Sequence, residues 1–327
     1  IMQFDFDPDF IIRGLVIDTE SGDLLKVDRF GFVRQAAHGT RMYSFEDMRQ
    51  RFGSEGIDFS DPRYYIVHTL FSIGEGCLFA QLVDVLDDHR QPHPAVQNLS
   101  NHDPGQPDYR QVFRLIRSLT DEIHQNDEIK GDVLQNPQRY IQQQPAIVQA
   151  VQELRRCGKR TALITNSDYE YSKQVMDYCF NPFLDGQSWH ELFDLIVVLA
   201  AKPGYFQGQS KYLKVDPASG CLTNFFGPIE WGGIYQGGNA RSLEKDLGLS
   251  SGEILYLGDH ILGDVITLKE ATGWRTGLVI QELDEEVATL RGKQQIHRQI
   301  EDLMDQKEGL ESQLAELKQA HWQPADF

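Results

Sequence analysis

From Pro145 onward the chain alternates helical stretches with short apolar strands, and this alternation constrains the fold more than any other feature of the sequence. Pro145 can open a helix that runs to Cys157, with Gly158 as its left-handed cap, and Thr161–Thr165 then reads as a buried strand. The spacing predicts a helix over Tyr169–Cys179, strands over Phe193–Leu199 and Ile254–Gly258, a helix over Asp264–Thr272 and a strand over Arg275–Ile280. Such a pattern belongs to an α/β fold with a doubly wound parallel sheet, in which ligands gather at the carboxyl ends of the strands. Residues 208–238 interrupt the alternation with Gly, Asn, Pro and aromatic residues and read as a hairpin insertion turning at Asp216–Gly220.

Upstream, short β-rich runs at Arg13–Asp18, Leu24–Asp28 and Phe32–Ala36 are separated by Ser21-Gly22-Asp23 and Gly31, which predicts an antiparallel ribbon within residues 1–40. Ser44 with Asp47 three residues on reads as the capping box of a short helix ending near Gly53. Helical spacing of apolar residues in Glu75–Asp88 and Tyr109–His124 predicts two amphipathic helices of a helical unit over 41–144, with a loop at 89–107. The α/β core would span 145–281. A polar, helical segment follows over 282–327, where Ile296, Leu303, Leu310 and Leu317 recur every seven residues, with Ile300 and Leu314 at the alternate positions and Lys307 breaking the seam. The seam has two readings, packing on its own protein or a homo-oligomer contact.

The chain of 327 residues carries 31 basic and 49 acidic residues, a formal charge of -18. That balance repels a phosphate backbone, so nucleic acid is excluded as a partner. An anionic protein that binds an anionic phosphate needs a local positive group, which directs attention to lysines at strand ends. Cys77, Cys157, Cys179 and Cys221 show neither CxxC spacing nor a nearby histidine pair, so no zinc site or disulfide framework is signalled. No window approaches the roughly 18 consecutive apolar residues of a membrane span, and Ile1–Asp5 lacks the character of a signal peptide. A soluble cytoplasmic protein without a membrane partner is expected.

Thr165-Asn166-Ser167-Asp168 follow the first core strand at the start of a helix, where hydroxyls and backbone N–H groups form a natural anion site. Lys202-Pro203 follow the second, offering a compact positive charge for a phosphoryl oxygen. Gly258-Asp259-His260-Ile261-Leu262-Gly263-Asp264 follow the third. The first of its two carboxylates suits Mg²⁺, which takes few protein oxygens beside substrate phosphate and water. Singly, each feature has a bland reading: a helix cap, a surface lysine, solvated carboxylates. Their order, each at a predicted parallel strand end, points to phosphate chemistry.

This ordered set resembles motifs II, III and IV of the haloacid dehalogenase superfamily. The likeness narrows further through Arg13-Gly-Leu-Val-Ile-Asp-Thr, Leu24-Leu-Lys-Val-Asp, Ala37-His-Gly, Thr165-Asn-Ser-Asp-Tyr, Ile234-Tyr-Gln-Gly-Gly, Gly258-Asp-His-Ile-Leu-Gly-Asp and Gly273-Trp-Arg-Thr. Together these blocks resemble the cytosolic purine 5′-nucleotidase family over roughly Phe4–Leu290. The resemblance implies Mg²⁺-dependent hydrolysis of purine nucleoside 5′-monophosphates, chiefly IMP and GMP, through an aspartyl-phosphate. It implies that Thr165 and Asn166 hold phosphoryl oxygens, that Lys202 neutralises charge beside the nucleophile, and that Asp259 ligates the metal. Asp264 would support the metal or anchor its loop, and the unit over 41–144 would be a cap that excludes water.

Motif I of that family needs an apolar strand ending in Asp-x-Asp-x-Thr or Val, upstream of the Arg13 block. Asp5-Phe6-Asp7 has the spacing without the strand, and Leu15–Asp18 has the apolar approach without a second aspartate. The nucleophile segment is therefore expected to be absent, the chain is read as incomplete at its start, and as given it is expected to be inactive. Two further readings stand beside the enzyme: an inactive nucleotide- or phosphate-binding relative, and a phosphatase of the same superfamily acting on another small ester. For substrate contacts, Phe71 is a candidate to stack on a purine, His68 stands where the family has Asn, Arg110 opens a predicted cap helix, and Ser167 can contact phosphate or cap a helix.

Overall fold

Period-two alternation sends Val16 and Ile17 to opposite sides of a sheet, and both sides are covered. The computed structural model describes residues 7, 10–28, 30–53, 56–88, 108–125 and 128–320. They fall into two compact units, Ile1–Leu278 and Val279–Phe327. The 89–107 loop and the Asp5-Phe6 pair of the sequence reading lie outside the described residues.

The first sheet joins β1 (Leu15–Asp18), β2 (Asp23–Val27), β3 (Val33–His38), β4 (Arg41–Met42) and β5 (Tyr64–Ile66) in the order β4-β3-β2-β1-β5, all antiparallel. This is the expected ribbon, extended by β5. On one face Ile17, Leu24 and Ala37 meet Phe79 and Val83 of the helix Leu70–Asp87 and Phe113 and Ile116 of the helix Tyr109–Gln125. On the other, Val16, Leu25 and Ala36 meet Tyr43 and Phe52. Ser44 caps the helix Phe45–Phe52 by accepting from the Asp47 N–H. The helix Leu70–Asp87 begins five residues before the expected Glu75, because the Thr69 hydroxyl caps it by accepting from the Ser72 N–H. Phe71 in that first turn points to solvent and so lies outside the apolar repeat.

The second sheet contains β6 (Ala162–Ile164), β7 (Leu195–Val198), β8 (Tyr212–Val215), β9 (Leu222–Asn224) and β10 (Ile234–Gly237), in the order β6-β7-β10-β8-β9. β6, β7 and β10 run parallel, with the apolar β7 buried at every position. β11 (Leu255–Gly258) and β12 (Arg275–Leu278) form a separate parallel pair. The mixed α/β character is as expected, with one correction inside 208–238. The hairpin is β8–β9 alone, and Ile234–Gly237 joins the parallel sheet beside β7, burying Tyr235. The glycines flanking this short strand give it the look of a loop.

Val279–Phe327 holds the helices Leu283–Gly292 and Gln294–Ala320. Ile296, Ile300, Leu303, Leu310 and Leu314 are exposed along the second, and Lys307 pairs with Glu311 at 3.1 Å. Among the described residues no helix is long and apolar enough to cross a membrane.

Gly238 follows β10 at φ 81°, and a Cβ there would lie 1.9 Å from the Tyr212 ring. Tyr212 cannot retreat, since its hydroxyl bonds the Tyr205 hydroxyl at 2.8 Å and donates to the Asn239 carbonyl at 2.9 Å. Gly238→Ala should cost roughly 3 kcal/mol of stability, read by urea unfolding.

Candidate functional site

The loop after β6 is shaped by its own short polar side chains. The Thr165 N–H extends the ladder by donating to the Val197 carbonyl, and the Thr165 hydroxyl accepts from the Ser167 N–H at 3.1 Å. Asp168 caps the helix Tyr169–Cys179 by accepting from the Tyr171 N–H at 2.8 Å, and pairs with Lys130 at 3.0 Å. Burial raises the pKa of Asp168, but that N–H and the Lys130 ammonium outweigh it and hold the carboxyl below its ordinary range. Ser167 donates through its backbone to the turn and accepts from the Leu199 N–H through its carbonyl.

The loop after β7 is fastened to this one. Asn166 donates to the Lys202 carbonyl at 3.0 Å and accepts from the Lys202 N–H at 2.6 Å, so its amide grips the backbone of the lysine. Leu199 and Ala201 adopt positive φ values of 43° and 57°, which costs on the order of 1–3 kcal/mol each for residues with a Cβ. Backbone bonds from Leu199 to Ser167 and from Ala200 to Thr165 help hold this conformation. It delivers the Lys202 side chain to a partly buried place.

There Lys202 Nζ donates to the Tyr256 hydroxyl at 2.8 Å and meets Asp264 Oδ1 at 3.2 Å. The two charged side chains are 17% and 6% exposed. The Tyr256 hydroxyl lies 3.3 Å from the same Asp264 oxygen, and the His260 N–H donates to Oδ2 at 3.4 Å. Burial, then the Asp264 charge, pushes the phenol of Tyr256 far above its ordinary value, so it remains a donor. Asp264 sits in a π-helical turn, Ile261–Ile266, that precedes the helix Thr267–Thr272. Only Gly258 tolerates this placement, because a Cβ there would fall 2.5 Å from the Asp264 carboxylate. Asp259, the next residue, is exposed.

His260 Nδ1 accepts from the Gly263 N–H at 2.9 Å, and its ring meets that of His68 edge-on, with centroids 5.2 Å apart. His68 is thus brought to the loop after β11. Phe71, 70% exposed, meets His124 at 5.4 Å. A cavity of about 590 Å³ along the same helix as His124 is lined by Phe113, Arg114, Arg117, Ser118, Asp121 and Glu122. Arg110 instead pairs with Glu20 of the ribbon.

A 5′ nucleotidase family model matches residues 1–326. The chain belongs to the 5′ nucleotidase family. It is 25% identical over 309 residues to human 5′-nucleotidase domain-containing protein 2, covering 91% of this chain and 56% of the relative. The rat protein of that name is 26% identical over 309 residues, covering 91% and 52%, and a 5′-nucleotidase domain-containing protein of Dictyostelium discoideum is 26% identical over 297 residues, covering 88% and 47%. The chain spans about half the length of these curated relatives.

In this 5′ nucleotidase family member the structure joins Thr165, Asn166, Lys202 and Asp264 through direct contacts or one shared loop. Reading by sequence missed Tyr256, His260 and His124. A tyrosine within the apolar run Leu255–Gly258 was a usable signal, because a buried phenol seeks a partner. Among the described residues no group of three or more His, Cys, Asp or Glu is placed to hold a metal ion. Asp259 is an exposed carboxylate of the kind Mg²⁺ can use with water and phosphate, whereas both Asp264 oxygens already have partners.

Lys202→Met would leave the Asp264 carboxylate buried without its cation. A loss of about 3 kcal/mol is expected by chemical unfolding, against about 1 kcal/mol for Tyr256→Phe.

Proposed function

We propose that the chain is the phosphate- and metal-binding part of a Mg²⁺-dependent 5′-nucleotidase acting on purine nucleoside 5′-monophosphates of the IMP and GMP type in the cytoplasm. The observation that carries this reading is the Lys202 ammonium, fixed by Asp264 and Tyr256 at the strand ends beside Thr165. Family membership supports hydrolysis of a nucleoside monophosphate. In the proposed haloacid dehalogenase core, the Thr165 hydroxyl and backbone N–H groups of its loop bind phosphoryl oxygens. Asn166 acts through Lys202, holding its backbone so that the ammonium faces the transferring group. Asp259 would hold Mg²⁺, which when bound supplies charge neutralisation at the phosphoryl group. Asp264 anchors the loop and orients Lys202.

Phe71 and His124 support a helical cap over 41–144, since an exposed aromatic pair suits a purine face. His68 and Ser167 are the nearer candidates for contacts to the nucleotide, whereas Arg110 is paired with Glu20.

The nucleophilic aspartate is proposed to come from a strand outside the described residues. Two bare edges support this. Among the described residues β6 ends its sheet and β11 pairs with β12 alone, leaving Leu255 61% and Leu257 59% exposed. Asp18, the one apolar-strand decoy among the described residues, is already consumed by Arg63 and by the N–H groups of Glu20 and Ser21. With Mg²⁺ the chain alone should therefore bind substrate phosphate without releasing it.

The test is phosphate release from IMP, GMP, AMP and a sugar phosphate with Mg²⁺, by this chain and by a chain extended upstream with an Asp-x-Asp-x-Thr strand. Release from IMP and GMP by the extended chain only is expected. Turnover by this chain alone at the extended chain's rate overturns the proposal. Binding of IMP without release by the extended chain favours the inactive relative, and preference for the sugar phosphate favours another ester.

A further inference from the structure

The Ala37-His38-Gly39 block takes no part in the phosphate site, yet His38 lies between carboxylates from two different elements. Its Nδ1 is 2.8 Å from Asp23 Oδ1 on β2, and its Nε2 is 2.7 Å from Asp87 Oδ2 at the end of the helix Leu70–Asp87. A carboxylate only accepts, and a neutral imidazole carries a single N–H. A neutral ring would turn a lone pair toward one carboxylate at hydrogen-bond distance. The imidazolium donates to both.

The surroundings require the same charge. Asp23, whose side chain is fully buried, also accepts from the Ser21 hydroxyl at 2.7 Å, the Tyr43 hydroxyl at 2.9 Å and Arg51 at 2.8 and 3.0 Å. Asp87 accepts from the Tyr109 hydroxyl of the helix Tyr109–Gln125 at 2.6 Å and from Arg41 of β4 at 3.3 Å. Asp84, one turn earlier, meets Thr40 and, at 3.6 Å, Arg41. Three carboxylates, Asp23, Asp84 and Asp87, thus face the guanidiniums of Arg41 and Arg51. The charges balance when His38 supplies the third.

We propose that His38 is a proton-gated clasp: as an imidazolium it bridges Asp23 of the ribbon and Asp87 of the helix Leu70–Asp87, which in turn accepts from Tyr109 of the next helix, and on losing its proton it releases one carboxylate and loosens that junction. The hydrogen bond to Asp23, with that to Asp87, outweighs burial and raises the imidazole pKa above its ordinary value. A raised pKa means the stabilisation is complete below the unfolded-state value near 6.5 and is lost as pH rises through the folded value. Asp23 behaves oppositely. Burial raises its pKa, but the hydrogen bonds from His38 and Ser21 and the Arg51 charge lower it further, so its share fails only in acid. The device needs no ligand and is independent of the hydrolytic reading.

The test follows the His38 imidazole by NMR and the thermal midpoint between pH 6 and 9, on the whole chain and on His38→Gln and Asp87→Asn. In the parent chain His38 should titrate clearly above 6.5, and the midpoint should fall across that titration. His38→Gln should flatten this slope, and Asp87→Asn should bring the His38 titration down. If His38→Gln fails to fold, the titrations of the parent and Asp87→Asn decide. Titration of His38 at or below 6.5 in the parent, or an unchanged titration in Asp87→Asn, overturns the proposal.

Discussion

The contact on which the candidate site depends is the pair of Lys202 and Asp264, 3.2 Å apart and both largely shielded from water. Shielding makes the pair costly to separate, because either charge left alone would be stranded in a low-dielectric place. It therefore acts as a rivet between the loops after β7 and β11. The two positive-φ residues before Lys202, the Asn166 grip on its backbone and the bare Cα of Gly258 all serve that one contact. The hydroxyl of Tyr256 completes it by reaching both charges at once.

The same rule governs the rest of this acid-rich chain. With 49 acidic against 31 basic residues, a carboxylate inside the fold is tolerated only with cations or N–H donors around it. Asp18 has Arg63, Asp23 has Arg51 and His38, Glu75 has Arg117 at 2.9 Å, and Asp194 has Arg155 and Arg160. Each of these pairs joins residues distant in sequence, so the buried charges fix which elements meet. Apolar alternation forms the strands; the ion pairs choose their neighbours.

The elements were legible wherever a local rule sufficed. The helix Tyr169–Cys179 is readable to the residue because Asp168 caps it, and the ribbon because Gly22 and Gly31 punctuate alternating runs. The strand ends carrying Thr165, Lys202 and Asp259 were readable for the same reason. What escaped depends on tertiary partners. Ile234–Gly237 is a strand only because β7 offers an edge, and the start of the helix at Leu70 rests on a single threonine hydroxyl. A π-helical turn at Ile261–Ile266 replaces the α-helical start expected at Asp264, and Asp264 reaches Lys202 from within it. The phenol of Tyr256 in an apolar run announces that it seeks a partner, but the identity of its two charged partners, Lys202 and Asp264, depends on the tertiary fold.

The electrostatics of the site also bear on what it can accept. Lys202 is the cation aimed at the strand ends, but Asp264 already balances it, and the exposed Asp259 adds a negative charge nearby. These three groups together carry a net charge of one negative unit. A phosphate dianion approaching them would meet repulsion, on a protein whose overall formal charge is -18. A divalent cation held by Asp259 would reverse the local sign and leave Lys202 free to share its protons between Asp264 and a phosphoryl oxygen. Charge balance is thus the argument for the Mg²⁺ dependence proposed above, and the exposed position of Asp259 is the feature such a requirement needs.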